Sequence, residues 1–522
     1  MYRFFHKLTW TWLLAALVVL PGCASQHFRA AGSTPTEPVR HALTDLHWHE
    51  YWTGLMIKGD KVGFTHTVVG PIPDQPGRYL IRSEASLLIQ VLGFGKRIQM
   101  HADDVVNDDL TLVRFDYDYN IDGNALQISG TQDAGSLRTT IRNAGRSAEQ
   151  VLPAKSAIYP ASAIDLYPVV TGIKLGAQYR YQAYSGETQS LLDVRQSVEG
   201  YESSDLFVGN AFKVRTSVAG HDQTTWIDES GKPLLELALG GVMMSALEGE
   251  SEAKRYLALA ALNKRETLID FSLVKPDRPI PDPRRTTRLR IGIAGVNAPP
   301  VASAAQRCEA AGSSWVCEIS AGVDAAPPAT PQPEDYLKSS ATVTSDAPAI
   351  RDLAHRIAGT SSGQSEQIGQ LIAWIQSNIK RVPVDSFSAL DVLQTRQAEC
   401  QGHAYLYAAL ARSLGIPTRV VNGLVYSEQL QGFLYHSWSV SLVSGRWQAV
   451  DPTFGQTQAD ATHIDVAEGE HMADVLPLIE WVGKVRIRVL AVEPSVRSAR
   501  RGSAGARPLP TQTAAHPSGP AS

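Results

Sequence analysis

Between Arg396 and Gly455 the cysteine Cys400, the histidine His436 and the aspartate Asp451 sit in a pattern that restricts the fold more than any other stretch of the chain. Cys400 opens an apolar segment (Ala404, Leu406, Ala408, Ala409, Leu410) that stops near Gly415 and Pro417, which predicts a helix buried on most sides. Three extended runs follow, over Thr418–Tyr426, Phe433–Val443 and Trp447–Asp451, the last two joined by a tight Ser444-Gly445 turn. A helix this apolar followed by three strands this short must bury its surface against their antiparallel sheet. His436 lies in the second run and Asp451 in the third, 36 and then a further 15 residues beyond Cys400. A hairpin folding at Ser444-Gly445 brings these two side chains within hydrogen-bonding range. A thiol at a helix amino terminus meets unpaired N–H groups and the positive end of the helix dipole, both of which favour its anion. Thiol, base and base-orienting carboxylate are the parts needed for acyl transfer through a thioester. His436 takes the thiol proton, Asp451 fixes the ring tautomer, and Cys400 attacks an amide carbonyl to release an amine. Water or a second amine then resolves the thioester.

The remainder of the chain sorts by local pattern. Residues 45–273 consist of short alternating runs separated by turn residues, such as Trp52–Ile57 before Gly59-Asp60 and Tyr79–Glu84 after Pro76-Gly77, and predict a mainly antiparallel β domain. Within it Asp118, Asn120, Asp122 and Gly123 have the spacing of half a calcium loop. Its twelfth position is Ser129 rather than a bidentate Glu, and Phe115, Tyr117, Tyr119 and Ile121 alternate with the acids, so the stretch reads as a strand entering an Asp-Gly hairpin. Residues 274–336 form a small β segment with Pro-rich linkers, the clearest around Pro327, Pro328, Pro331 and Pro333. Helical periodicity then opens a domain predicted over 337–492: Ile350, Leu353, Ala354 and Ile357 share one face, and Ile368, Leu371, Ile372, Ile375 and Ile379 another, with Trp374 as helix core. Ser388, three residues before Asp391, reads as the cap of a short helix that delivers the chain to Cys400, and Lys484–Val492 as a final strand. Pro, Ser, Ala and Gly dominate residues 493–522, which read as a disordered tail. The predicted class is α+β: a Cys-bearing helix on an antiparallel sheet, preceded by a mainly antiparallel β domain. With 48 basic and 52 acidic residues there is no field to collect a polyanion, which excludes nucleic acid as a partner.

The amino terminus is an address. Arg3 and Lys7 precede an apolar run over Leu13–Leu20, and Leu20-Pro21-Gly22-Cys23 follows, so residues 1–22 resemble a bacterial lipoprotein signal peptide. That resemblance implies a lipid on the Cys23 thiol and, with Ala24 rather than Asp next, an outer-membrane anchor facing the periplasm. Pro21 departs from the residue usual there, and the alternative is ordinary cleavage to a soluble periplasmic protein. Residues 23–44 read as a tether. Of the four cysteines, Cys308 and Cys317 flank a short hairpin and read as a disulfide in an oxidising compartment. Cys400 is left unpaired, a liability in an exported protein unless the thiol is used.

At the chemistry-bearing residues the chain resembles a known family. Ser388-Ala389-Leu390-Asp391-Val392-Leu393, Cys400 followed by Leu410 through Val420, Tyr435-His436-Ser437-Trp438, and Trp447-Gln448-Ala449-Val450-Asp451-Pro452-Thr453 are similar to the bacterial transglutaminase-like family of papain-like cysteine enzymes, over about Leu337 to Gln456. The resemblance implies a catalytic triad of Cys400, His436 and Asp451, with no cofactor and no metal. Members commonly carry Gly two residues before the nucleophile, where this chain has Ala398; a positive φ there would cost Ala about 1 kcal/mol. The backbone N–H of Gln401 is a candidate oxyanion donor, and Trp438, two residues from His436, a candidate shield against water. Cys400-x-x-His403 looks like half a zinc site without its second half, so His403 reads as a supporting residue. The expected substrate is a peptide, a protein or a peptidoglycan stem peptide, with hydrolysis favoured. Protein crosslinking, or an inactive scaffold lipoprotein, are the alternatives.

Overall fold

The computed structural model describes residues 27–494, apart from 256–271, 322–331 and positions 92–93, 144, 219, 297–298, 304, 362, 385, 472–473, 475 and 482. The signal-like segment, Cys23, and the tail from residue 495 lie outside the described residues.

The alternating runs of the first half pair mostly with their neighbours in sequence and build one sixteen-stranded sheet. Its ladders are antiparallel except where Ile158–Pro160 runs parallel to Gln178–Ser185. Period-two burial decides which way each strand faces. In Leu112–Ile121, Leu112, Phe115 and Tyr117 are buried while Asp116 and Asp118 are exposed. The calcium-like spacing is a hairpin turn: Asp122 and Gly123 take φ of 53° and 93°, the Gly123 N–H donates to Asn120 Oδ1 at 2.9 Å, and Asp118 accepts from Gln127 Nε2 at 2.7 Å. The sheet curls on itself, so that Tyr184 stacks on Phe115 with ring centroids 4.6 Å apart.

Two boundaries differ from the sequence expectation. The tether predicted over 23–44 is, from residue 28, part of the β domain. Phe28–Ala30 pairs with Glu202–Ser204, Phe28 stacks on Trp226 at 4.3 Å, Val39 bridges Ile173, and Leu43 is buried. A few well-spaced apolar side chains anchor a segment whose average composition is that of a linker. The small β segment predicted over 274–336 is likewise not a separate module. Thr286–Ala294 sits between Ser314–Ser320 and the final strand, Arg486–Pro494, in a four-stranded sheet. That sheet buries Leu289, Ile291, Ile293 and Ile487 against Leu424, Tyr426, Phe433 and Ile464, so residues 274–320 and the last strand share a core with the domain predicted to start at 337. Such a sheet is too small to bury its own apolar face. Within it Cys308 and Cys317 are cross-strand partners joined by a disulfide.

The central sheet of this second unit has the order Arg446–Val450, Gly432–Val443, Thr418–Ser427, His463–Glu468, all antiparallel. Helices Pro348–Ala358, Gln364–Asn378 and Cys400–Ser413 cover Val420, Val443 and Val450, with every residue from Gly402 to Arg412 buried. Trp374 is half-buried on the flank of this core and lies under the Arg396 guanidinium at 4.9 Å. The two units meet through an Arg146–Asp346 ion pair (2.9 Å) and a hydrogen bond from Asn143 Nδ2 to Asp391 Oδ2 (3.0 Å). Between them lies a cleft of about 900 Å³ whose walls include Arg146, Gln189, Lys338 and Glu470.

Candidate active site

The approach to Cys400 is set by local backbone rules. Ser388 caps the helix Ala389–Thr395, its Oγ accepting from the Asp391 N–H at 3.2 Å. That helix ends on Arg396 in the left-handed region, φ 57°. Gln397-Ala398 then forms a short parallel bridge with Lys380-Arg381. The positive φ needed to turn the chain toward the nucleophile thus falls on Arg396, and Ala398 is ordinary extended backbone. A glycine is needed instead at Gly402, where a Cβ would lie 2.8 Å from Ala398 Cβ and 3.0 Å from a Val392 methyl.

Cys400 is the first residue of its helix and half-buried. Desolvation pushes its thiol up to about 12, Glu399 adds to the rise, and the Ser437 backbone N–H, directed at the sulfur, offsets part of it. The expectation from the helix dipole alone is an easily ionised thiol; here burial and the adjacent carboxylate outweigh it. The Ser437 contact places the sulfur one peptide unit from His436. No hydrogen bond joins the sulfur to the imidazole among the described residues. His436 is buried and its Nε2 donates to Asp451 Oδ2 at 2.8 Å, which leaves Nδ1 as the unprotonated nitrogen of a neutral ring. Burial holds this imidazole below its ordinary range against the pull of Asp451. Asp451, fully buried, stays ionised well below the usual carboxylate range: the two rings donating to it, and the Thr453 and Phe454 N–H groups bonding Oδ1 at 2.7 and 3.1 Å, outweigh its desolvation. The hairpin predicted at Ser444-Gly445 is present, with both residues at positive φ. Its ladder ends at Ser439–Val450, and Asp451 reaches His436 as the chain turns away from the sheet.

Residues 351–452 match the transglutaminase-like superfamily. They form a transglutaminase-like domain. The chain is 24% identical over 143 residues to the kyphoscoliosis peptidase of Mus musculus, covering 24% of this chain and 21% of that protein. It is 30% identical over 115 residues to an uncharacterised protein of Mycobacterium leprae, covering 20% of this chain and 40% of that one. The chain therefore spans about a fifth and two fifths of these relatives. Among solved structures it is similar to a candidate cysteine protease of Cytophaga hutchinsonii (17% identity, 39% of this chain, 82% of that one, TM-score 0.28).

Around this domain the second unit brings in further residues, most of which the sequence reading passed over. His463, on the edge strand, donates from Nε2 to the same Asp451 oxygen at 3.0 Å, and its Nδ1 lies 3.0 Å from the Asp460 carbonyl oxygen. Asp460 in turn accepts from Arg284 at 2.7 Å and Gln456 at 2.9 Å. Phe454 stacks on His436 at 4.9 Å and carries the guanidinium groups of Arg284 and Arg381 on its ring at 4.2 and 5.1 Å. Trp438, fully buried, lies near-parallel to His436 at 6.2 Å and edge-on to His463 at 5.0 Å. Gly423 makes room for it: a Cβ there would be 2.8 Å from the indole and 1.9 Å from the Ile464 carbonyl oxygen. Trp438 was expected from its two-residue spacing to His436; of the others, only Phe454 had a sequence signal, in its place three residues after Asp451. His463 and Arg284 are brought in by strand pairing that no local pattern encodes.

The remaining expected residues have defined places. The Gln401 side chain is committed, donating to Tyr405 Oη at 2.6 Å, while its backbone N–H lies in the first helical turn, where no intrahelical acceptor exists. His403 is buried beside the Glu399 carbonyl oxygen at 2.7 Å, a packing and capping position. His436, Asp451 and His463 bring their ligand atoms within 4.8 Å of one another, a set with the donor chemistry for a divalent metal. Both imidazoles already donate to Asp451 at hydrogen-bond length, so a cation there would have to displace two buried protons, and the trio fits a hydrogen-bond network instead.

Proposed function

We propose that this protein is a cysteine enzyme that opens amide bonds through a thioester, with Cys400 as nucleophile, His436 as base and Asp451 as the group that orients it. The observation that carries this reading is the placement of Asp451 on His436 Nε2, which leaves Nδ1 unprotonated, together with a Cys400 sulfur that meets the N–H of the very next residue, Ser437. In the resting state the pair is a neutral thiol and a neutral imidazole. Substrate attack then moves the thiol proton to Nδ1 as the C–S bond forms, and Asp451 stabilises the resulting imidazolium. The same proton passes to the departing amine. The N–H groups of the first helical turn, Gln401 among them, supply donors for the oxyanion. Water resolves the thioester, making hydrolysis the favoured outcome. The substrate class is a peptide, protein or peptidoglycan stem peptide. The segment before residue 27 supports export to the cell envelope, with lipid attachment at Cys23 anchoring the enzyme to the outer membrane.

The test is labelling of the full chain by a thiol-directed acylating probe. Cys400→Ala should lose the label while keeping the wild-type melting curve; equal labelling of both proteins would refute the assignment. Incubation with a glutamine donor and a labelled primary amine separates hydrolysis from transfer, and no amine incorporation is expected.

A further inference from the structure

Asp451 is not the private partner of His436. Its Oδ2 accepts from two buried imidazoles, His436 at 2.8 Å and His463 at 3.0 Å. The two nitrogens of His463 face different groups, but both of those groups are acceptors: Nε2 meets the Asp451 carboxylate, and Nδ1 meets the Asp460 carbonyl oxygen, with Asp460 Oδ1 at 3.6 Å. Neither partner can donate, so each ring nitrogen must carry a hydrogen. A ring with both nitrogens protonated is an imidazolium. His436 differs in this respect, since its Nδ1 has no hydrogen-bond partner among the described residues.

We propose that His463 is a positioning residue for the amide-opening reaction: a buried imidazolium, charged at neutral pH, that shares Asp451 with His436 and keeps His436 an uncharged base. The inference rests on the catalytic reading above. Its physical content is charge balance. Asp451 alone would draw a proton onto His436 and leave it an imidazolium, unable to accept the thiol proton. A fixed cation on the same oxygen cancels much of that pull while leaving the hydrogen bond that sets the tautomer.

The surroundings of His463 agree with a cation. Asp451 faces it from the turn after the third strand and Asp460 from its own segment, and together these hold the ring up to about 9 against desolvation. Asp465, two residues along, is pushed up to about 6 by burial and is a weaker third influence. Opposing them are His436, one strand removed across Thr418–Ser427, and Arg284, which reaches only as far as Asp460. Gly423 and the edge-on Trp438 seal the ring from solvent.

The experiment is the pH dependence of iodoacetamide alkylation at Cys400 in the full chain, for wild type and His463→Gln. Gln keeps a donor toward Asp451 and removes the charge. Loss of a buried positive charge raises the proton affinity of both Cys400 and His436, so the acid limb should move up by about one pH unit whichever of the two releases the proton. A limb that stays in place while the maximal rate falls would mean a structural role only and would overturn the proposal. A second readout needs no variant: in wild-type protein labelled with ¹⁵N-histidine at pH 7.5, one buried ring should carry protons on both nitrogens while His436 carries one. A neutral His463 ring would overturn the proposal even if the His463→Gln protein failed to fold. If His436→Ala leaves the wild-type limb unchanged, the catalytic reading fails instead, and the ring charge measured by NMR still decides the state of His463.

Discussion

Asp104 of the amino-terminal unit and Asp451 of the second unit are buried carboxyl groups held in opposite ways. In the amino-terminal sheet Asp104 is fully buried and accepts from Tyr117 Oη and Ser162 Oγ, each at 2.6 Å. These partners are neutral hydroxyls, and desolvation pushes the carboxyl up to about 7. In the transglutaminase-like domain Asp451 is equally buried, yet two imidazoles and two backbone N–H groups hold it ionised. Asp460 follows Asp451, with Arg284 and His463 on it. Asp465 lies in the same unit but has the Ser303 hydroxyl and, among the described residues, no hydrogen-bonded cation; it is pushed up to about 6, as Asp104 is raised. Burial depth does not separate the two groups. The charge of the immediate partner does: a hydroxyl satisfies a carboxyl in either protonation state, whereas an imidazolium or guanidinium rewards only the anion.

That contrast can be broken most severely at Asp451. Asp451→Ala removes the acceptor shared by two rings and strands a buried positive charge. It should cost about 3–5 kcal/mol of stability, with kcat falling on the order of 10³–10⁴-fold through loss of the tautomer; urea unfolding and thiol-probe turnover check each. Asp104→Asn should do the reverse. The folded carboxyl keeps its proton to about pH 7, while in the unfolded chain it loses it near pH 4, so between these values the folded state binds more protons and wild-type stability falls as pH rises. The variant lacks that term and should gain on wild type by on the order of 4 kcal/mol between pH 4 and pH 8, measured as the difference in unfolding free energy. Asp465→Asn is the control within the second unit: its gain should have the same sign and be smaller, roughly 3 kcal/mol, complete by about pH 7. A loss instead would mean that domain membership, not partner charge, sets the behaviour. Smallest of all, Arg146→Ala at the exposed ion pair between the units should change stability by less than about 1 kcal/mol and leave the acid limb of Cys400 alkylation unmoved.

How far the chain can be read in advance follows the range of the interactions involved. The helix at Cys400, its cap at Ser388, the Ser444-Gly445 turn and the alternating strands of the first half depend on side chains a few residues apart, and periodicity exposes them. The segment from Phe28 to Leu43 reads as a tether because its anchors, Phe28 on Trp226 and Val39 on Ile173, are side chains about 130 to 200 residues away. The small sheet escapes its place for the same reason, since Thr286–Ala294 finds its partner at the far end of the chain.

The sequence by itself determined which reactive groups exist, and that the thiol would sit at a helix start with a histidine and an aspartate on the two strands of one hairpin. Short-range spacing is enough for that, because turns and helix starts are local events. Only the tertiary structure decided the protonation states: a thiol raised by burial, a carboxylate kept ionised, and a second imidazole drawn onto it from an edge strand. Proton affinity depends on the charges and solvent within a few ångströms, and those neighbours are assembled from segments that share no local pattern.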